Sequence, residues 1–156
     1  MLKKFCLKNY KTFKNEIVNL QVLEQELQKL DILYSFTTIK IKKDTEELGT
    51  ALASLGMENK HIAMIGENSY KWLTVYLTVL KSTGVFVPID RELNLKGIIN
   101  VLKHSDSEVL FYSKKYEQWI PEIKKEVPKV KFFIGLNRKE SEENVLSYDM
   151  FKETGK

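Results

Sequence analysis

Cysteine occurs once in these 156 residues, as Cys6. That excludes an internal disulfide and a cysteine-based zinc site. Three prolines and seven glycines are too few for a collagen, a glycine repeat or a long flexible linker. No apolar run approaches the roughly 20 residues that cross a bilayer. The N-terminus, MLKKFCLKNYKTF, is basic but lacks the apolar core of a signal peptide. A cytoplasmic location is therefore expected. Neither G-x-G-x-x-G nor G-x-x-x-x-G-K-[ST] occurs, so the two common glycine-rich phosphate loops are absent.

Hydrophobic residues make up 43% and charged residues 29%, enough apolar material for one ordinary folded domain. The net charge is +4, but most lysines alternate with acids, as in KKDTEE and RKESEE. A nucleic-acid module gathers its positive charge on one face, so no nucleic-acid partner is expected. Residues 1–14 are different. They carry Lys3, Lys4, Lys8, Lys11 and Lys14 and no acid. On a helix these share one side, with Phe5, Cys6, Tyr10 and Phe13 opposite. The simplest reading is a solvated lysine face over a packed stripe. Peripheral contact of residues 1–20 with an anionic membrane is the sharper one. Leu20, Leu23, Leu27 and Leu30 extend the helical spacing, and Asp31–Ser35 reads as a short extended segment.

The chain thus divides into an N-terminal helical segment, 1–35, and an α/β part, 36–156. Thr37 is placed to cap a helix, with Phe36 and Ile41 at hydrophobic-staple positions. Ile41, Leu48, Leu52 and Leu55 form its apolar face, and Gly56 reads as its C-cap. A regular alternation follows. HIAMI (61–65) is a strand. Ser69 caps a helix to about Thr83 that is apolar nearly all round and so should be deeply buried. VFVPI (85–89) is a strand, Asn94 caps a helix over 95–104, and EVLFY (108–112) is a third strand. A helical stretch covers 115–126, where Pro121 either kinks the helix or starts its second turn. VKFFI (130–134) is a fourth strand, and VLSYDMFKE reads as a last short helix. Strand–helix–strand units with short joints imply a parallel sheet with helices on both faces.

Four segments could carry chemistry. Gly66-Glu67-Asn68-Ser69 joins a strand to a helix N-terminus, where free N–H groups favour anions. It has one glycine, however, and Glu67 repels phosphate, so a capped turn is the simpler reading. Lys81-Ser82-Thr83-Gly84 has phosphate-loop residue types but sits at a helix C-terminus, where the dipole is negative; it reads as a glycine-capped helix end. Asp90-Arg91-Glu92 follows a strand, where α/β sheets bind ligands, and two carboxylates there could hold Mg²⁺. Neighbouring loop acids are more often solvated. His61 and His104 each stand alone, with no Ser or Cys paired to them by spacing. Asn68 and Asp90 remain the ligand candidates, for a small anion bound by a free-standing module. No catalytic, cofactor or metal residue is assigned.

The run from "ALASLGM" through "IAMIGENSYKW", "TGVFVPIDREL" and "IINVLKHSDSEVLFYS" resembles the N-terminal part of AMP-forming acyl-CoA synthetases. These belong to the adenylate-forming superfamily that includes luciferase. "EIKKEVPKVKFFIG" and "VLSYDMFKETGK" match in order, so the resemblance covers about 36–156. "GENSYKW" and "VPIDREL" look most like the bacterial long-chain fatty acid–CoA ligase branch. The resemblance implies an enzyme that joins a carboxylate to AMP from ATP with Mg²⁺, then passes the acyl group to coenzyme A. It also implies that the Ser/Thr/Gly-rich loop ending in Gly-x-Pro-Lys, which cradles the ATP phosphates, lies beyond Lys156. The segment between the first helix and the helix near Thr37 is shorter than the family's. The expectation is an incomplete α/β subdomain, inactive alone and binding no cofactor of its own. Its partner would be the missing remainder, or a second copy joined through an exposed sheet edge.

Overall fold

Among the described residues of the computed structural model the first helix, α1, covers 38–54 and ends in a Schellman motif. The Met57 N–H reaches the Leu52 carbonyl at 3.0 Å and the Gly56 N–H reaches Ala53 at 2.8 Å. Gly56 takes φ +69°, which a side chain would resist, so its C-capping role holds. The model describes residues 38–82 and 84–156. The expectations for segment 1–35, the Thr37 cap and the Phe36 staple lie outside them.

Strand β1, His61–Ile65, leads through the Ser69 cap to α2, Tyr70–Lys81, and then to β2, Val85–Pro88. Helix α3, Leu95–His104, is capped by Asn94, whose Oδ1 accepts from Gly97 N at 3.0 Å. Strand β3, Val109–Tyr112, is followed by a 3-10 helix, Lys114–Trp119, and α4, Ile120–Glu126. Pro121 lies in the first turn of α4, where its missing N–H has no intrahelical acceptor to lose. Strand β4 is Phe132–Gly135. VLSYDMFKE divides: Val145–Ser147 is a fifth strand, β5, and only Tyr148–Glu153 is helix, α5.

All five strands are parallel, in the order β2-β1-β3-β4-β5. The path steps one way from β1 to β2, then reverses to reach β3. Right-handed crossovers in opposite directions lie on opposite faces of a sheet. Accordingly α2 packs on one face and α3 on the other. Ile62, Met64, Val109, Phe111 and Ile134 point towards α1, α2 and α5. Ala63, Ile65, Leu110, Tyr112 and Phe133 point towards α3, the 3-10 helix and α4. This is the expected α/β sheet with helices on both faces, with one more strand than the alternation suggested. Lys40–Lys156 makes one compact unit.

Two local expectations change. Helix α2 is not buried all round: Thr74, Val75, Thr78 and Val79 form its buried stripe, while Leu73 and Leu80 are exposed. An all-apolar helix needs cover on every side, and the described residues cover only one. Gly84 is not a left-handed cap either. The cap of α2 is Ser82, whose N–H reaches Thr78 at 3.0 Å. Glycine at 84 leaves room where a Cβ would come within 3.1 Å of Val79 and 3.2 Å of the Lys60 carbonyl.

Among the described residues no helix is long and apolar enough to cross a membrane.

Candidate functional site

Because every strand is parallel, all five carboxyl ends open on one rim. The loops there are 66–69 after β1, 89–94 after β2, the Ser113 turn after β3 and 136–144 after β4. Chain direction reverses between the neighbours β1 and β3, which makes their carboxyl ends the switch point where open α/β sheets hold ligands.

The Gly66–Ser69 turn occupies that switch point. Ser69 Oγ accepts from Trp72 N at 3.2 Å, and the Ser69 carbonyl accepts from Leu73 N at 3.0 Å. The turn thus caps the helix. A Cβ on residue 66 would lie 3.1 Å from the Ser113 Cβ, so glycine lets the β1 and β3 turns close together. The Glu67 carboxyl is held below its ordinary range, first by the nearby Ser113 hydroxyl and its own backbone N–H, then by the charges of Lys115 and Arg91. The Ser113 hydroxyl acts without full hydrogen-bond geometry: its Oγ is buried and makes no hydrogen bond. The rim at the switch point is therefore a mixed patch, one carboxylate with two cations near it. Sequence reasoning singled out Asn68 and the Asp90-Arg91-Glu92 stretch and passed over Ser113 and Lys115. The strand order places their loops on one rim, but it does not say which of those loops close around Glu67.

Asn68 and Asp90 lie in loops after the adjacent strands β1 and β2, so the fold brings both to the rim. Both are exposed. Asp90 Oδ1 accepts from Glu92 N at 2.9 Å, and the Asp90 carbonyl accepts from Leu93 N at 3.2 Å. That is an Asx turn, a local use of the carboxylate. Glu92 pairs with Arg91 at 3.4 Å on the surface. The Asp90 and Glu92 carboxylates thus have separate local partners, and among the described residues no group of three His, Cys, Asp or Glu could hold a metal ion. The Arg91 carbonyl accepts from Tyr116 Oη at 3.0 Å, fixing the loop to the 3-10 helix.

Both histidine rings bond to backbone carbonyls. The His61 ring donates to the Ser105 carbonyl at 2.5 Å, and the His104 ring donates to Asn100 at 2.8 Å within its own helix. Farther along the rim, Arg138 is held by Glu117 and Glu142, each at 2.6 Å. Tyr112 Oη beside it is buried and outside hydrogen-bond geometry; burial, then the Glu117 charge, pushes its phenol up to about 12. A buried hydroxyl without a partner costs stability. Tyr112→Phe is therefore expected to raise the unfolding free energy by up to about 1 kcal/mol in urea titration, and a loss would show that the hydroxyl is bonded.

The chain matches the family model described as AMP-binding enzyme over residues 28–154. No curated protein matches. Among solved structures, it is similar to the anthranilate CoA ligase AuaEII in complex with anthranoyl-AMP, at 18% identity and TM-score 0.68, over 73% of this chain and 22% of that one. It is similar to a candidate long-chain-fatty-acid CoA ligase from Rhodopseudomonas palustris, at 16% identity and TM-score 0.62, over 69% and 27%. A red-emitting luciferase from Phrixothrix hirtus gives 19% identity and TM-score 0.67, over 74% and 28%. The chain thus spans about a quarter of the length of these structures, and they share its fold. The family match runs through all five strands and every loop of the rim, and the chain belongs to the AMP-binding enzyme family of the adenylate-forming superfamily.

Proposed function

We propose that the chain is the N-terminal portion of an ATP-dependent, AMP-forming acyl-CoA synthetase that activates fatty acids in the cytoplasm, and that the 156 residues alone are inactive. The observation that carries this is the family match over residues 28–154 in a chain that spans about a quarter of its solved neighbours. The fatty-acid assignment rests on "GENSYKW" and "VPIDREL". ATP, Mg²⁺ and coenzyme A belong to the complete enzyme. The described residues do not fit Mg²⁺, because the Asp90 and Glu92 carboxylates are engaged in their own loop. In this reading the segment supplies the parallel sheet of the enzyme, with 66–69 as a capped turn at its rim. No contact at Asn68 or Asp90 favours the alternative of a free-standing anion-binding module. For residues 1–20 the sequence supports at most a peripheral contact with anionic membranes.

The purified 156-residue chain is expected to give no fatty-acid-dependent exchange of pyrophosphate into ATP above a protein-free blank. Robust exchange would overturn the reading.

A further inference from the structure

The described residues hold three methionines, and two of them are core: Met57 is 5% exposed and Met64 1%. Met150, on α5, is 52% exposed. A methionine that faces water contributes little packing, so its distinctive property there is the thioether, a soft two-electron reductant. The Met150 sulfur has a donor beside it: Ser141 Oγ lies at 3.7 Å and donates to it. The same hydroxyl accepts from the Ser147 N–H at 2.9 Å. A hydroxyl has one proton, so the order is fixed, from Ser147 N–H to Ser141 O–H to the Met150 sulfur. Ser147 Oγ donates in turn to the Arg138 carbonyl at 2.8 Å. These bonds tie the 136–144 loop to the end of β5 and to α5. The loop stands on the carboxyl rim of the sheet, where Arg138 pairs with Glu117 and Glu142. The bond to sulfur is the weak link of the chain, because a thioether is a poor acceptor.

We propose that Met150 is a site of reversible oxidation by a peroxide, and that its sulfoxide tightens the 136–144 loop. A lone pair of the thioether sulfur attacks one peroxide oxygen, and the O–O bond breaks. The sulfur gives up two electrons and the peroxide takes them. The released hydroxide removes the proton from the new S–OH group, so hydrogen peroxide leaves one oxygen on sulfur and departs as water. Sulfoxide reductases return the thioether. Oxidation disrupts a core methionine because it places a polar group among apolar ones. At Met150 the new oxygen faces water and finds a hydroxyl donor already in place. The Ser141 hydroxyl exchanges a poor acceptor for a strongly polar one. A hydroxyl that donates more strongly also accepts more strongly, so the bond from the Ser147 N–H is reinforced. Met57 and Met64, closed into the core beneath the helices, offer a peroxide no such access.

Brief treatment of the 156-residue chain with dilute hydrogen peroxide, followed by peptide mass spectrometry, tests the site. Met150 is expected to gain one oxygen roughly tenfold faster than Met57 and Met64. Amide hydrogen exchange followed by NMR tests the tie. The Ser147 N–H is expected to exchange about threefold more slowly in the sulfoxide form, the small end of what one hydrogen bond contributes. Methionine sulfoxide reductase should restore the original rate. Ser141→Ala should still be oxidised at Met150 but show no slowing at Ser147, which separates the role of the hydroxyl from a general effect of oxidation. Met150→Leu should leave Ser147 indifferent to peroxide. Equal oxidation of the three methionines, an unchanged Ser147 rate in the sulfoxide form, or the same slowing in Ser141→Ala would overturn the inference. None of these outcomes bears on pyrophosphate exchange, so the ligase reading stands or falls separately.

Discussion

Phe111→Ala is expected to lower the free energy of unfolding by about 4 kcal/mol, near the upper end for a buried aromatic. Phe111 is wholly buried in β3, which pairs with β1 on one side and β4 on the other. Its ring lies in the cluster formed with Leu48 and Leu52 of α1, Val75 and Val79 of α2, and Phe151 of α5. The cost of truncation depends on whether the surroundings can close over the gap. Here the ring's backbone is fixed by two parallel ladders, and three helices border its cluster, so little collapse is available. Urea titration followed by circular dichroism would measure the loss. A loss below about 1.5 kcal/mol would mean that the site relaxes, and that the sheet-to-helix packing is looser than the burial indicates. A domain of ordinary stability, about 5–15 kcal/mol, could lose half its margin through this one side chain.

The elements legible in the sequence were those set by local chemistry. Ser69 and Asn94 each accept from the N–H three residues on, at 3.2 and 3.0 Å, because a short polar side chain before an apolar run has few other uses. Gly56 was readable for the same reason. Strand β1 matches its expected limits, His61–Ile65, since a short apolar run between turn residues leaves little freedom. Strand β5 was not legible. Three residues, Val-Leu-Ser, are too few to show a period, and only pairing with β4 makes them a strand. The burial of α2 was misjudged because an apolar pattern records what a helix needs around it. It does not record whether the described residues supply that cover. At the candidate site, the rim position of Asn68 and Asp90 followed from the order of strands and loops. The Asx turn that engages Asp90, and the gathering of Ser113, Lys115 and Arg91 around Glu67, depend on which loops become neighbours, and no local pattern carries that.

Lys152→Met tests a contact that the sequence could not reveal, because its partners are 108 residues apart. Lys152 Nζ lies 2.7 Å from Asp44 and 3.6 Å from Glu47, joining α5 to α1. Both carboxylates are only 9% exposed, and Lys152 is 17% exposed. Asp44 also takes hydrogen bonds from Lys40 and from Tyr70 Oη, both at 2.9 Å. Burial alone would raise the Asp44 carboxyl, but the bonds from Lys152, Lys40 and Tyr70 outweigh it and bring it down to about 2, against an ordinary 3.8. Stripping one partner from a buried pair typically costs 3–5 kcal/mol; with Lys40 and Tyr70 remaining, about 2 kcal/mol is expected at pH 6. The methionine keeps most of the packing of the lysine stem, so the loss reports charge rather than volume. The pH dependence separates this from a packing defect. A carboxyl that titrates lower in the folded chain than in the unfolded one contributes fully above about pH 4, and the contribution disappears as pH falls through 2. Without Lys152 the Asp44 carboxyl moves back towards its ordinary range, and less remains to be lost on acidification. The gap in unfolding free energy between the two proteins should therefore narrow steadily from pH 5 to pH 2. A gap that stays constant over that range would place the effect of Lys152 in its packing and remove the ion pair as the bond between α1 and α5.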